Sequence, residues 1–261
     1  MKIQKLWMAQ KNKKVSPGVA AGNFLLVCIL IVLVFWLSLR RINTTFDFSF
    51  LSEFRYRIRD GFFMTVGLSL VSLALSLIIG ISSAAGQNCR FLPLRYLCSI
   101  YVKFIRGTPL IMQIYLFYYI VGTAWGIENR FIAGVLILSV FEGAYIAEII
   151  RGSLLSIPSS QLQAARALGF TEKQIVQYVT IPQLVARTLP ALTGQFASII
   201  KDSSLLSMIA VIELTQTMRE ISATNFKLFE CYLFLGGLYL CLTLPLSFIS
   251  ERLERKFDYE N

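Results

Sequence analysis

The stretch RGSLLSIPSSQLQAARALGFTEKQIVQYVTIPQLVAR, Arg151 to Arg187, is the longest polar connection in an otherwise apolar chain, and it specifies two short helices. Ser160-Gln161-Leu162-Gln163 and Thr171-Glu172-Lys173-Gln174 each match a capping box, in which a hydroxyl accepts from the amide three residues on and a glutamine side chain reaches back. Gly169 lies between them, where a left-handed residue ends one helix and turns the chain into the next. Pro182 lacks an amide donor and is expected to limit the second helix. Ala164, Ala165 and Ala167 give the first helix a low profile on which another protein can pack closely. The local pattern leaves two readings open, a docking device and a plain loop covering a surface, because capping boxes report helix ends and not partners.

Outside this loop the chain is too apolar for an ordinary soluble domain. Its 261 residues are 56% hydrophobic against 15% charged, with mean hydropathy +0.64, so lipid is the expected solvent. The net charge of +10 does not point to nucleic acid, because the basic residues gather at the ends of apolar runs, where membrane topology needs them. Ala-Ala-Arg-Ala-Leu-Gly-Phe-Thr has a superficial likeness to a DNA-binding helix-turn-helix, but apolar runs flank it closely on both sides. There is no histidine, and Cys28, Cys89, Cys98, Cys231 and Cys241 show no C-x-x-C spacing, which argues against a metal site or a disulfide framework.

A bilayer span needs about 20 predominantly apolar residues. Candidates are Asn23 to Leu39, Phe62 to Ala85, Pro109 to Trp125, Phe131 to Ile150, a less uniform stretch from Thr188 to Leu214, and Phe226 to Ile249, about six transmembrane helices in an all-α integral membrane protein. No small-x-small cleavage site follows the first run, so an uncleaved span with a cytoplasmic N-terminus is expected. That places the 86–108 and 151–187 loops and the C-terminal tail in the cytoplasm, as their lysines and arginines require, although the 41–61 segment, with Arg41, Arg55, Arg57 and Arg59, then lies outside. The division expected is a cytoplasmic segment, first span and connector over 1–60, a multi-span transmembrane domain over 61–255 and a tail over 256–261. Thr108-Pro109 reads as a helix start, with Thr108 as cap and Pro109 in the first helical position. The preceding stretch, Leu94 to Arg106, reads as a helix lying along the cytoplasmic surface with its basic heads in water.

Ionisable groups inside a span are costly, about 2.5 to 3.5 kcal/mol each on insertion scales, and usually face a cavity or a partner. Glu142 in the fourth span and Lys201-Asp202 in the fifth are such groups. Ser203 and Ser204 beside them can satisfy backbone opened by a helix break. Glu142, Asp202, Ser203 and Ser204 are therefore the substrate-site candidates, with a Lys201–Asp202 ion pair as the structural alternative. Glu148 and Arg151, three apart, read as a helix-surface pair.

Taken together, Gln163-Ala164-Ala165, Gly169 and Val179-Thr180-Ile181-Pro182 resemble the E-A-A-x-x-x-G-x9-I-x-L-P loop of ATP-binding-cassette importer permeases. Arg106-Gly107-Thr108-Pro109-Leu110 with Gln113, Gly143-Ala144-Tyr145-Ile146-Ala147-Glu148 with Arg151-Gly152, and Lys201-Asp202-Ser203-Ser204-Leu205 extend the likeness to the polar amino-acid permease branch, over roughly residues 60–255. Two positions depart from the pattern: Gln163 stands for the leading glutamate, and Ser203-Ser204 for the more usual Thr-Ser. The resemblance implies a five-span core and a complex of two permease subunits, two ATP-binding subunits and an extracytoplasmic solute-binding protein, in a bacterial inner membrane with both termini cytoplasmic. It implies that Ser160, Gln163, Ala164, Ala165, Leu168, Gly169 and Phe170 couple to the ATPase, and that Arg106, Gly107, Thr108, Pro109 and Lys201 belong to structural motifs. No Gly-x-x-x-x-Gly-Lys-[Ser/Thr] phosphate loop occurs in the chain, so no cofactor is expected here and ATP is expected in the partner. The expected role is non-enzymatic, moving a polar amino acid by alternating access. A secondary transporter driven by an ion gradient, with the intramembrane acids as coupling sites, is the competing reading.

Overall fold

The computed structural model describes residues 16–42 and 46–257, and among them every regular element is helical. The basic N-terminal segment and the end of the expected tail lie outside the described residues. Two units form, Met1–Asp47 and Phe48–Asn261. The first contains α1 (Pro17–Ile42), in which Phe24, Val32, Phe35 and Trp36 on different sides are all exposed and Arg40 and Arg41 close the last turn. A helix apolar all round and ended by charge is suited to lipid contact.

The second unit is built from α2 (Phe50–Glu53), α3 (Arg55–Gln87), α4 (Leu92–Gly107), α5 (Leu110–Tyr115, continued as a π-helix over Leu116–Gly122) and α6 (Arg130–Leu155). It continues through α7 (Ser159–Ala167), α8 (Glu172–Gln174, continued as a π-helix over Ile175–Thr180), α9 (Ile181–Asp202), a 3₁₀ segment (Ser203–Ile209), α10 (Leu214–Asn225) and α11 (Leu228–Phe257). Among the described residues four helices, α1, α3, α6 and α11, are long and apolar enough to span a bilayer, and a fifth span arises if α4 and α5, bent by 114°, count as one. The remaining span of the sequence count falls on α9, a 22-residue helix whose Arg187, Lys201 and Asp202 make it more polar than the rest.

The pairing of α3 with α6 organises the core. A Cβ on Gly80 would lie 2.5 Å from Ile146 Cγ2, and one on Gly143 would lie 2.7 Å from Ile79 Cγ2, so glycine at both positions lets the two backbones approach. Leu68, Ile114, Leu138, Ala144 and Leu206 fill one apolar cluster, and Phe50, Leu214, Met218, Ile221 and Leu235 a second. Tyr101 ties α4 to α6 by donating to the Val140 carbonyl at 2.6 Å.

Three local expectations are corrected. Thr108 does not cap α5: Pro109 occupies the N-cap with ψ 139°, and the Thr108 hydroxyl turns back to donate to the Phe104 carbonyl at 2.9 Å. The bend is held by buried Gln113, whose Nε2 donates to the Ile105 carbonyl at 2.8 Å and to Thr108 Oγ1 at 2.7 Å. Pro182 does not end the second hairpin helix; the π-helix over Ile175–Thr180 changes the hydrogen-bond register just ahead of it, and the helix continues as α9. The apolar run to Leu214 is not one helix, since the chain tightens to 3₁₀ at Ser203 and Ala210 takes the left-handed conformation (φ 54°).

Candidate coupling hairpin and intramembrane polar site

The hairpin between α6 and α9 is fixed by backbone chemistry at its turn. Gly169 has φ +83°, the Gly169 amide donates to the Arg166 carbonyl at 2.9 Å and the Phe170 amide to the Ala165 carbonyl at 3.1 Å. This is a Schellman closure, which a side-chain-bearing residue at Gly169 would strain. Arg166 and Glu172 bridge the turn at 2.8 Å, and the guanidinium holds the exposed Glu172 carboxyl below its ordinary value, so that contact weakens only as pH falls into the carboxylate range. Thr171 forms the expected capping box, its amide donating to Gln174 Oε1 at 2.9 Å and its hydroxyl accepting from the Gln174 amide at 3.4 Å.

The first expected capping box is absent. The helix begins at Ser159 with Pro158 as N-cap (φ −61°, ψ 130°), because proline already holds the φ that a helix start needs, and this puts Ser160 inside the first turn. Gln163 is exposed there. Ala164 and Ala167 are exposed, while Ala165 is buried and supports the hairpin from within. Leu168 is 78% exposed and Phe170 40%, so two large apolar side chains stand open to solvent at the tip. The hairpin is anchored at its base, where Gln183 Nε2 donates to Gln161 Oε1 at 2.7 Å and Arg187 donates to the Ser156 hydroxyl at 3.0 Å and carbonyl at 3.2 Å. Sequence reading passed over both base contacts.

The polar site inside the bundle draws on α6 and α9. Glu142 is fully buried, and Gln195 Nε2 donates to its Oε2. No donor among the described residues reaches Oε1, and the neighbouring acid is Asp202. A Lys201–Asp202 ion pair is not formed: Lys201 is exposed, no carboxylate among the described residues lies within salt-bridge distance of it, and the end of α9 instead turns Asp202 towards Glu142. Ser203, fully buried, donates to the Ile200 carbonyl at 2.7 Å where α-helix gives way to 3₁₀, the backbone service expected of it; Ser204 is half-buried. Gln195 was missed, although it precedes Asp202 by two helical turns and so shares its face.

Of the remaining motif residues, Gly107 ends α4, and Arg106 reaches Glu148 Oε2 at 3.3 Å, joining the Glu148–Arg151 pair. Glu213 also escaped sequence reading. It is buried beyond the 3₁₀ segment, caps α10 by accepting from the Thr215 and Gln216 amides, each at 2.7 Å, and accepts from Tyr239 at 3.0 Å.

Comparison with known proteins bears on both regions. A family model described as "binding-protein-dependent transport system inner membrane component" matches residues 76–259, which include the hairpin and the Glu142 site. The chain is 34% identical over 202 residues to a probable glutamine ABC transporter permease protein of Bacillus subtilis, covering 76% of this chain and 94% of that protein. It is 33% identical over 202 residues to an L-cystine transport system permease protein of the same organism, covering 77% and 86%. The crystal structure of an amino acid ABC transporter with histidines superposes with a TM-score of 0.76 at 31% identity, covering 82% of this chain and all of that one.

Proposed function

The chain belongs to the family of binding-protein-dependent transport system inner membrane components, and from that premise we propose that it carries a polar amino acid into a bacterial cytoplasm as the permease subunit of an ATP-binding-cassette importer. Two separate ATPase subunits bind and hydrolyse the ATP, a second permease subunit completes the pathway, and an extracytoplasmic solute-binding protein delivers the substrate. Both termini lie in the cytoplasm, on the side of the 151–187 loop. Residues 1–60 add a span to the permease core of 61–255, and 256–261 form the tail.

The observation that carries this reading is the hairpin: a turn closed by its own backbone, anchored to α6 and α9, with Leu168 and Phe170 unburied. A rigid lever with an apolar tip is suited to a groove on a moving partner. As ATP draws the two ATPases together, the hairpin carries that motion through α9 to the Asp202–Glu142 region, and access to the site alternates.

In that region two acids, Glu142 and Asp202, stand together inside the bundle and one Glu142 oxygen lacks a donor among the described residues, an arrangement that favours a cationic group of the ligand. Every amino acid supplies one in its α-ammonium. The relatives are named for glutamine and cystine, and the superposed transporter was crystallised with histidines, which agrees with a neutral or basic substrate. The test is reconstitution with the ATPase and binding protein in liposomes, with labelled uptake competed by glutamine, arginine and glutamate. The reading requires ATP-dependent uptake in which glutamate competes worst; uptake driven by an ion gradient without ATP would replace it with the secondary-transporter reading.

A further inference from the structure

A cleft of about 480 Å³ opens between α4 and α6 at the same end of the bundle as the hairpin. Arg95, Ser99, Lys103, Arg106, Glu148 and Arg151 are among its walls, four cations against one acid. Glu148 is already shared by Arg106 at 3.3 Å and by Arg151. Among the described residues no carboxylate lies within salt-bridge distance of Arg95 or Lys103. The cleft therefore holds more positive charge than the protein neutralises, and its remaining demand is for an anion with several acceptor oxygens.

The rest of α4 says where that anion comes from. Val102 and Ile105 face the core, and Arg95, Ser99, Lys103 and Arg106, spaced by four, four and three residues, form the cleft face. Leu97, Ile100 and Phe104 make a third face and are 65%, 64% and 47% exposed. On a helical wheel Lys103 falls next to Ile100, which lies one turn before it, so a basic stripe borders an apolar one. A free anion has no use for the apolar stripe. A phospholipid uses both, with its phosphate in the cleft and its acyl chains along Leu97, Ile100 and Phe104, as an in-plane amphipathic helix at the headgroup level allows.

We propose that the α4–α6 cleft is a binding site for the headgroup of an anionic phospholipid of the leaflet on the hairpin side. The proposal rests on the membrane reading and not on the transported solute, so its failure leaves the permease assignment in place. Glu148 and Arg151 lie in the last two turns of α6, which ends at Leu155 just before the hairpin helix begins at Ser159, so lipid held there bears on the base of the lever.

The test uses the full-length chain with its ATPase subunit in nanodiscs of phosphatidylcholine mixed with phosphatidylglycerol, followed by detergent extraction and native mass spectrometry of the retained lipid. The parent is expected to retain phosphatidylglycerol selectively. Replacing Arg95 and Lys103 together with glutamine is expected to cut that selectivity by about thirty-fold, each cation being worth about five-fold near the membrane surface, while Arg95→Lys with Lys103→Arg keeps it. Soluble glycerol phosphate is expected not to displace the lipid. No selectivity in the parent overturns the proposal without any variant having to fold. It is equally overturned if the glutamine pair retains lipid as the parent does, if glycerol phosphate displaces the lipid and marks a free-anion site, or if the glutamine pair loses the ATPase while keeping the lipid.

Discussion

The hairpin and the Glu142 site obey opposite physics. In the hairpin the contacts that close the turn are local, between residues at most a few positions apart, and made mostly by backbone and caps: Arg166 with Gly169, Ala165 with Phe170, Thr171 with Gln174; only its base is held by longer-range contacts. In the Glu142 site the determining contact joins residues 53 apart in the chain and is buried, so tertiary packing alone creates it. An element whose shape is set locally can move as a unit without losing that shape. A buried polar contact between two helices changes when those helices shift. That division suits a lever at one end and a gated site at the other.

The largest expected effect breaks the lever. Gly169→Val forces a β-branched residue to φ +83°, a conformation that costs of the order of 1–3 kcal/mol and that the turn cannot relax without opening its closure. ATP-driven uptake should fall to background while span insertion and folding of the second unit persist, measured by transport and by protease protection in vesicles. Normal uptake would remove the lever from the account.

Next is the gated site. Glu142→Gln leaves volume and packing nearly unchanged and can still accept from Gln195, but it removes an acid that could pair with a cationic group of the ligand; a hydrogen bond to a charged group is worth about 1.5–3 kcal/mol, so uptake should fall about ten- to hundred-fold with ATPase association intact. If the ATPase is lost as well, the two regions are not separable in the way described. Thr171→Ala, which deletes the one capping box that forms, should cost about 1 kcal/mol of local stability, read as faster amide exchange confined to 170–180. Exchange that quickens through the whole bundle would show that the hairpin is not a local unit. Gln163→Glu should be nearly silent, within about 0.5 kcal/mol, because the side chain is exposed and takes part in no cap. A large change in ATPase affinity there would place position 163 in the docked interface through its charge.

The same division explains what could be read beforehand. Gly169 and the Thr171–Gln174 box were legible because their physics lies within a few residues of sequence. The Ser160 box does not form, since Pro158 starts the helix two residues earlier and nothing in Ser-x-x-Gln records that competition. The spans at Phe62–Ala85, Phe131–Ile150 and Phe226–Ile249 correspond to α3, α6 and α11, because continuous apolarity over a bilayer's thickness is itself the cause of the element. The stretch 188–214 failed as a single helix because apolar residues serve an α-helix and a 3₁₀ segment alike, and the break is stabilised downstream by Glu213, Thr215 and Tyr239. Glu142 and Asp202 stood out as ionisable groups inside the apolar spans, yet their partners did not: Gln195 rather than a cation donates to one oxygen of Glu142, and Lys201 turns outward.

The central claim is that the exposed hairpin tip enters a groove of the ATPase. Leu168, the most exposed large side chain of that tip, permits a direct measurement. In a background with the native cysteines replaced, Leu168→Cys is combined with a homobifunctional thiol crosslinker and an ATPase subunit bearing single cysteines around its groove. The account predicts a permease–ATPase adduct whose yield changes when ATP closes the ATPase pair, and no adduct from a cysteine placed at exposed Phe226, beyond the other end of the bundle. An equal yield from both positions, or none from Leu168→Cys in a complex that still transports, would contradict it.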